Sequence, residues 1–310
     1  LDIFEKESGE KFSALIYEEK GDDGDEYDYS PPKNDRIFTT ENLTAKITKL
    51  YENNFETAFE IKHVIMVPKA LNPDRTGRNT ELTELKIKSI VSLRAASRIV
   101  VVKTELCNNS HDHIIKVLCS APVTTDSSYA GDHFSVIKRD NHISVPENWK
   151  ELNYKSKPLP IYPMQGFTDI SAGKTGIAIL SVGLPEYEIY NNNTVALTLM
   201  RSVGKMGKSD LEIRPGRVSG IEFNTPDSQM TGNYEFEFGI VPHSGNYSDA
   251  QIQRLISLYS APVNIKQFLE DIKSGKRPLR KEYIELTGNN IEISALKKAE
   301  RDKNIILRLF

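Results

Sequence analysis

The chain has 310 residues, 27% of them charged and 38% hydrophobic, with a formal net charge of −3. That length allows a sizeable core in one large domain or two ordinary ones, and the charge balance excludes the basic footprint of a protein that binds nucleic acid or an anionic membrane. No apolar run approaches the roughly 20 residues of a membrane span.

The N-terminus, Leu1-Asp2-Ile3-Phe4, carries no signal-peptide pattern and reads as a strand entered partway. Lys11 to Glu18 is a strand pattern that runs into an acidic, Gly-rich stretch from Gly21 to Pro32. Phe55 to Val67 alternates through Phe59, Ile61, His63 and Ile65, and Leu85 to Val91 does the same. Ile99 to Val102 is a continuous branched run, which predicts a strand buried on both faces. Ile114 to Cys119 and His133 to Lys138 are further strands. Asn108-Asn109-Ser110 is the turn signal that would pair the first of these with its predecessor. Such a hairpin keeps Cys119 away from Cys107, so no disulfide is expected, which fits a reducing compartment and a cytoplasmic protein.

Ile143 to Phe167 holds Pro146, Pro158, Pro160 and Pro163 and is predicted to be an extended surface connection. Ile177 to Val182, Glu186 to Tyr190 and Val195 to Met200 are predicted to form a meander, turning at Asn191-Asn192-Asn193. Tyr234 to Ile240 alternates most cleanly, with Tyr234, Phe236, Phe238 and Ile240 inward and Glu235 and Glu237 outward. Ser248-Asp249-Ala250-Gln251 resembles a capping box ahead of a helix through Tyr259, stopped by Pro262, and Ile265 to Ile272 suits a second short helix. Ile284–Leu286, Ile291–Leu296 and Ile305–Leu309 complete the strands, the last stopping without a turn, so the chain is expected to be cut from something longer. Many short strands with one or two short helices predict an all-β fold, a large antiparallel β-sandwich.

The chemistry-bearing stretch is Val195 to Arg217. Its alternating strand ends at Arg201, and a loop with Gly204 and Gly207 follows, carrying Lys205, Lys208, Arg214 and Arg217. Arginines at a Gly-rich strand end suit an anionic or polyhydroxylated ligand, because a guanidinium is a rigid fork of donors. The same composition suits a solvated basic loop. The acidic stretch places Tyr27 where a calcium loop needs an acidic ligand, so a turn is the better reading. His111-Asp112-His113 lacks the third ligand that zinc requires, and His243, just past a strand, suits local hydrogen bonding as well as a ligand. No nucleophile elbow, phosphate loop or dinucleotide fingerprint is present.

Three stretches taken together resemble the C-terminal β-region of glycoside hydrolase family 38, the α-mannosidase family, in its bacterial branch. They are Gly21 to Pro31, Leu197 to Gly204 with Arg214-Pro215-Gly216-Arg217, and Tyr234 to His243. Asp112-His113, Ile161 to Met164 and Leu296 to Glu300 add to the match, which spans nearly the whole chain. The resemblance implies a galactose-mutarotase-like super-sandwich over residues 1–310 that forms the C-terminal part of a retaining α-mannosidase. In such an enzyme an Asp nucleophile forms a glycosyl-enzyme intermediate and a second carboxylate serves as acid and then base, with a divalent metal, usually zinc, on the sugar hydroxyls. Those groups belong to an N-terminal α/β domain and a helical region absent from this sequence, so this part by itself is expected to be inactive and to bind no metal.

Residue by residue, the resemblance implies that Tyr27 reaches the sugar, that Asp25 and Asp28 beside it can accept sugar hydroxyls, and that Arg214 extends toward the substrate. Arg201 falls on the strand-end arginine before the Gly-rich loop, where a buried pair with a carboxylate is an equal reading. Substrate-binding residues are therefore expected at Tyr27, Asp25, Arg214 and Arg201, on two loops that must converge at one edge of the sandwich. The implied partners are an α-mannoside or mannosyl-glycerate sugar and the missing catalytic domain, with a homo-oligomer allowed. Mannosylglycerate hydrolase is the alternative within the family, and a non-catalytic carbohydrate-binding or structural β-module the alternative outside it.

Overall fold

The computed structural model describes residues 1–261, 263, 265–267, 278, 280–287 and 291–310. In chain order its strands are β1 (Asp2–Phe4), β2 (Lys11–Gly21), β3 (Phe38–Thr39), β4 (Lys46–Glu52), β5 (Glu56–Pro68), β6 (Leu82–Arg94), β7 (Val100–Asn108), β8 (His113–Ser120), β9 (Ser127–Asp132) and β10 (Ser135–Asp140). There follow β11 (Ile161–Pro163), β12 (Phe167–Ala172), β13 (Thr175–Ser181), β14 (Glu186–Tyr190), β15 (Thr194–Ser202), β16 (Asp210–Leu211), β17 (Arg214–Pro215), β18 (Gly232–Ser244), β19 (Ile293–Lys298) and β20 (Ile305–Leu309). Helix α1 spans Ile252–Ser260.

The chain divides into two compact units, Leu1–Ala261 and Pro262–Phe310. The first is an all-β sandwich of two antiparallel sheets. One sheet has the order β1-β2-β8-β15-β14-β11, with β3 on β2, and the other runs β10-β9-β12-β13-β18-β7-β6-β5-β4. In the second unit β19 pairs antiparallel with β20.

Period-2 alternation explains the core. Phe12, Tyr17 and Val117 of one sheet and Ile61, Leu85, Val102, Ile179 and Phe238 of the other belong to one buried cluster. Tyr17 carries its hydroxyl across that interface to Ser89 at 2.6 Å and Thr104 at 2.7 Å, so its polar end is satisfied inside an apolar layer. A second cluster lies on the other face of the larger sheet, where Phe167, Ala178, Leu180 and Val241 meet Ile252 of α1. β13 is accordingly buried at every position, whereas β7 alternates, with Lys103 and Glu105 exposed. Burial on both faces therefore belongs to β13 rather than to the Ile99–Val102 run.

Two expected hairpins are corrected. β7 pairs with β18 and β6, while β8 pairs with β2 and β15, so the turn after Asn108 carries the chain from one sheet to the other. Likewise β13 lies in the larger sheet and β14 in the smaller, and only β14 and β15 form a hairpin at the three asparagines. A tight turn suits a hairpin or a corner between sheets equally well; the packing of each strand's apolar face decides. Both cysteines are free, as expected. The capping box is not formed: Gln251 precedes α1 at φ +56° without a side-chain cap, and Asn246 Oδ1 instead accepts the N–H groups of Ser248 and Asp249. Ile284–Leu286 has no strand pairing, and most of the expected helix over Ile265–Ile272 lies outside the described residues.

Candidate functional site

The acidic stretch after β2 doubles back on itself. Asp23 N–H donates to Ser30 O at 2.7 Å and Asp25 N–H to Asp28 O at 3.1 Å, which closes a loop with Tyr27 at its turn. The Asp25 carboxylate fixes that turn by accepting the N–H groups of Tyr27 and Asp28 through Oδ1, at 3.0 and 2.8 Å. Asp22 does the same at the root, where its Oδ1 accepts Gly24 N–H at 2.8 Å and Ser30 N–H at 3.2 Å. A Cβ on Gly24 would lie 2.1 Å from the Asp28 carbonyl oxygen, so only glycine permits this fold-back.

The basic loop meets the acidic one. Arg201, near the end of β15, donates from Nε to Asp22 Oδ2 at 2.8 Å and from Nη2 to the Asp25 carbonyl at 3.0 Å. Lys208 reaches Asp23 Oδ1 with Nζ at 2.7 Å and Asp25 Oδ2 with its backbone N–H at 3.0 Å. Arg214, in β17, commits all five of its N–H donors. They go to Asp28 Oδ2 (2.8 Å), the Lys208 and Arg217 carbonyls (3.3 and 2.6 Å), Asp25 Oδ2 (2.6 Å) and Ser219 Oγ (3.0 Å). On the opposite side Arg75 donates to Asp23 and Asp112.

The pairs of Asp22 with Arg201 and of Asp25 with Arg214 lie largely out of water, so partners rather than solvent set their protonation states. Burial pushes the Asp22 carboxyl upward, against the pull of the Arg201 guanidinium. Burial also opposes ionisation of Asp25, but the N–H groups of Asp28 and Lys208 with Ser219 and Arg214 outweigh it and hold the carboxyl below its usual range. For Arg201, burial works against the charge, and Asp22 foremost, with Glu186 and Asp25, more than restores it.

All four residues singled out from sequence lie in this one cluster, and the two loops converge. Their exposures differ sharply: Asp25 is fully buried, Arg214 is 6% exposed, and Tyr27 is 59% exposed. The Tyr27 ring lies against the Gly220 backbone, where an added Cβ would sit 2.9 Å from it. Its hydroxyl takes no partner among the described residues. The network also includes Asp22, Lys208, Ser219, Arg75 and Asp112. Asp22 and Lys208 stand in the two charged stretches already visible in sequence, and Asp112 stands in the Asp112-His113 match; Arg75 carries no such signal. The other flagged histidines lie elsewhere. His113 is buried between Glu19 and Asn108, and His243 is buried in β18 with Nε2 2.6 Å from Asp169 Oδ2.

Among the described residues no three or more His, Cys, Asp or Glu side chains are grouped to hold a metal ion, and the loop aspartates face cations and backbone amides instead. The described residues therefore do not themselves fit a metal centre. No helix among them is long and apolar enough to cross a membrane.

The family model described as "Glycosyl hydrolases family 38 C-terminal domain" matches residues 2–208. A provisionally named mannosylglycerate hydrolase of Halalkalibacterium halodurans is 26% identical over 99% of this chain and 34% of its own length. An α-mannosidase from Enterococcus faecalis superposes on the whole chain with a TM-score of 0.85 at 26% identity, over 34% of its own length. A second family 38 structure from that organism gives 0.83 at 25% identity, over 36% of its length. The chain thus spans about a third of the relatives it matches, and it belongs to glycosyl hydrolase family 38 as the C-terminal domain of that family.

Proposed function

We propose that this chain is the C-terminal part of a longer retaining glycoside hydrolase that cleaves α-mannosidic bonds, and that its role is to present the Tyr27 hydroxyl to the sugar. The observation that carries the reading is the contrast within one cluster. Tyr27 is exposed with its hydroxyl open, on a turn held by buried charge pairs, whereas Asp25 and Arg214 are consumed in holding that turn and Arg201 gives its Nε and one Nη2 donor to it. A sugar contact from Arg214 would have to break one of its five bonds, so Arg214 and Asp25 act as the frame, Arg201 braces its root through Asp22, and Tyr27 is the contact. A hydroxyl placed this way can donate to, or accept from, a sugar hydroxyl as charge develops in the transition state.

On this reading residues 1–310 form one C-terminal region, and the nucleophile, the acid–base carboxylate and the ligands of a divalent metal, zinc, belong to the preceding α/β domain and helical region. The two free thiols suit a reducing compartment, the cytoplasm. The relative from Halalkalibacterium supports a second reading, in which the sugar is mannosylglycerate.

The test is Tyr27→Phe in the full-length protein, assayed on 4-nitrophenyl α-mannoside and on mannosylglycerate. Loss of one neutral hydrogen bond, about 0.5–1.5 kcal/mol, lowers kcat/KM by up to about tenfold on the true substrate, with the unfolding midpoint unchanged. Unchanged kcat/KM on both substrates refutes the role given to Tyr27.

A further inference from the structure

The loop that presents Tyr27 is gripped from a second direction. The connection between β5 and β6, which belongs to the larger sheet, sends Arg75 across to the root of the acidic loop on the smaller one. Arg75 Nε lies 2.5 Å from Asp23 Oδ1, and its two Nη atoms lie 3.2 and 3.4 Å from the Asp112 carboxylate. Asp112 closes the root further: its carbonyl accepts the Asp22 N–H at 2.9 Å, and Gln229 bonds both its N–H and its Oδ1 at 2.9 Å. One planar guanidinium thus spans two carboxylates on either side of the chain's entry into the loop, which a point charge could not do.

Both partners adopt backbone conformations that L residues rarely hold, Arg75 at φ +59° and Asp112 at φ +52°. Arg75 is kept there by its N–H bond to Asn72 O at 2.9 Å and by the turn that Asn72 Oδ1 makes with Gly77 N–H. Such conformations persist where the surroundings over-determine them. The Arg75 side chain is 36% exposed, against 20% for Asp23 and 10% for Asp112, and a pair whose cation is open to water contributes less to global stability than a fully buried one. The contact is therefore poorly suited to holding the sandwich together and well suited to fixing the direction of one loop.

We propose that Arg75 is a positioning residue for Tyr27, holding the root of its loop so that the phenol is presented at a fixed height and angle. The proposal rests on the reading of Tyr27 given above. It also ties the β5–β6 connection to the sugar contact, so that catalysis depends on a segment that never touches substrate.

A double-mutant cycle in the full-length protein tests it, with kcat/KM on 4-nitrophenyl α-mannoside and on mannosylglycerate, and unfolding midpoints, measured for Arg75→Ala, Arg75→Lys, Tyr27→Phe and the Arg75→Ala/Tyr27→Phe pair. If Arg75 acts only through Tyr27, its loss cannot exceed that of Tyr27→Phe. Arg75→Ala is then expected to lower kcat/KM by no more than Tyr27→Phe does, up to about tenfold, with the midpoint nearly unmoved, and to change nothing further in the Tyr27→Phe background. Arg75→Lys falls between, because an ammonium can serve Asp23 or Asp112 but not both at guanidinium geometry. Should Arg75→Ala lower the midpoint, Arg75→Lys takes its place in the same cycle. Effects that multiply in the double variant, or an Arg75 variant that is silent where Tyr27→Phe is not, overturn the positioning role. A silent Tyr27→Phe instead removes the functional reading itself, and the proposal with it.

Discussion

Asp25 is the residue on which the geometry of the site converges, and Asp25→Asn is the sharpest perturbation of it. The carboxylate is fully buried and accepts five donors: the N–H groups of Tyr27, Asp28 and Lys208, Ser219 Oγ, and Arg214 Nη2 at 2.6 Å. An amide of the same shape can keep its oxygen toward Tyr27 and Asp28 only by turning its NH2 onto three donors. It can serve those three only by releasing the turn. Either way the Arg214 guanidinium loses the buried one of its two anionic partners and keeps only the more exposed Asp28, and breaking one side of a buried pair costs up to about 3–5 kcal/mol. That is a large fraction of the roughly 5–15 kcal/mol that holds a domain folded. For a domain of this size it lowers the midpoint by roughly 6–12 °C, at about 2 °C per kcal/mol or slightly more. The control is Asp28→Asn, which touches the same arginine from a carboxylate 32% exposed, so its cost stays under about 1 kcal/mol. Both variants are compared with the wild-type chain by calorimetry and urea titration. An Asp25→Asn chain within about 1 kcal/mol of wild type, or no less stable than Asp28→Asn, refutes the claim that the charge network holds the turn.

Two further outcomes follow from the electrostatics. Asp25 has its carboxyl held below the usual value in the fold, so the stability it contributes is complete above the unfolded value near 4 and is lost as pH falls through the lower folded value; the stability gap between wild type and Asp25→Asn is full at pH 7 and narrows below about pH 4, and a gap constant to pH 3 contradicts this. Cys119 is buried and its thiol is pushed up to about 12 by that burial, whereas Cys107 is partly exposed; iodoacetamide at pH 8 labels one cysteine in the native chain and two after denaturation, as counted by mass spectrometry, and native labelling of Cys119 shows that the core opens.

Local pattern was enough for the elements that are half-buried. β5 and the first half of β18, up to Phe238, alternate because one face meets the core and the other water, whereas β18 is buried on both faces from Phe238 to His243. The charged loops of the candidate site were legible in part. Local composition marked the Gly-rich loop of Arg201 and Arg214, which suited a solvated basic loop as well as a ligand, and Tyr27 and Asp25 were singled out by family likeness alone.

The tertiary structure alone decided which strands pair and which of those residues face outward. β7 and β8, and β13 and β14, are neighbours in sequence but lie in different sheets, because a turn records only that the chain reverses and the apolar faces choose the layer. The cap of α1 passed to Asn246, whose side chain reaches two N–H groups that the Ser-Asp-Ala-Gln pattern does not serve. Whether an arginine meets a ligand or a carboxylate depends on what stands opposite it. For Arg214 that is a buried aspartate 189 residues away, and for Arg75 it is a pair of carboxylates on the other sheet's loops. Sequence supplies the charges and the glycines that let the loops close; only the approach of two distant segments, with water excluded between them, turns those charges into a frame and leaves the hydroxyl of Tyr27 open.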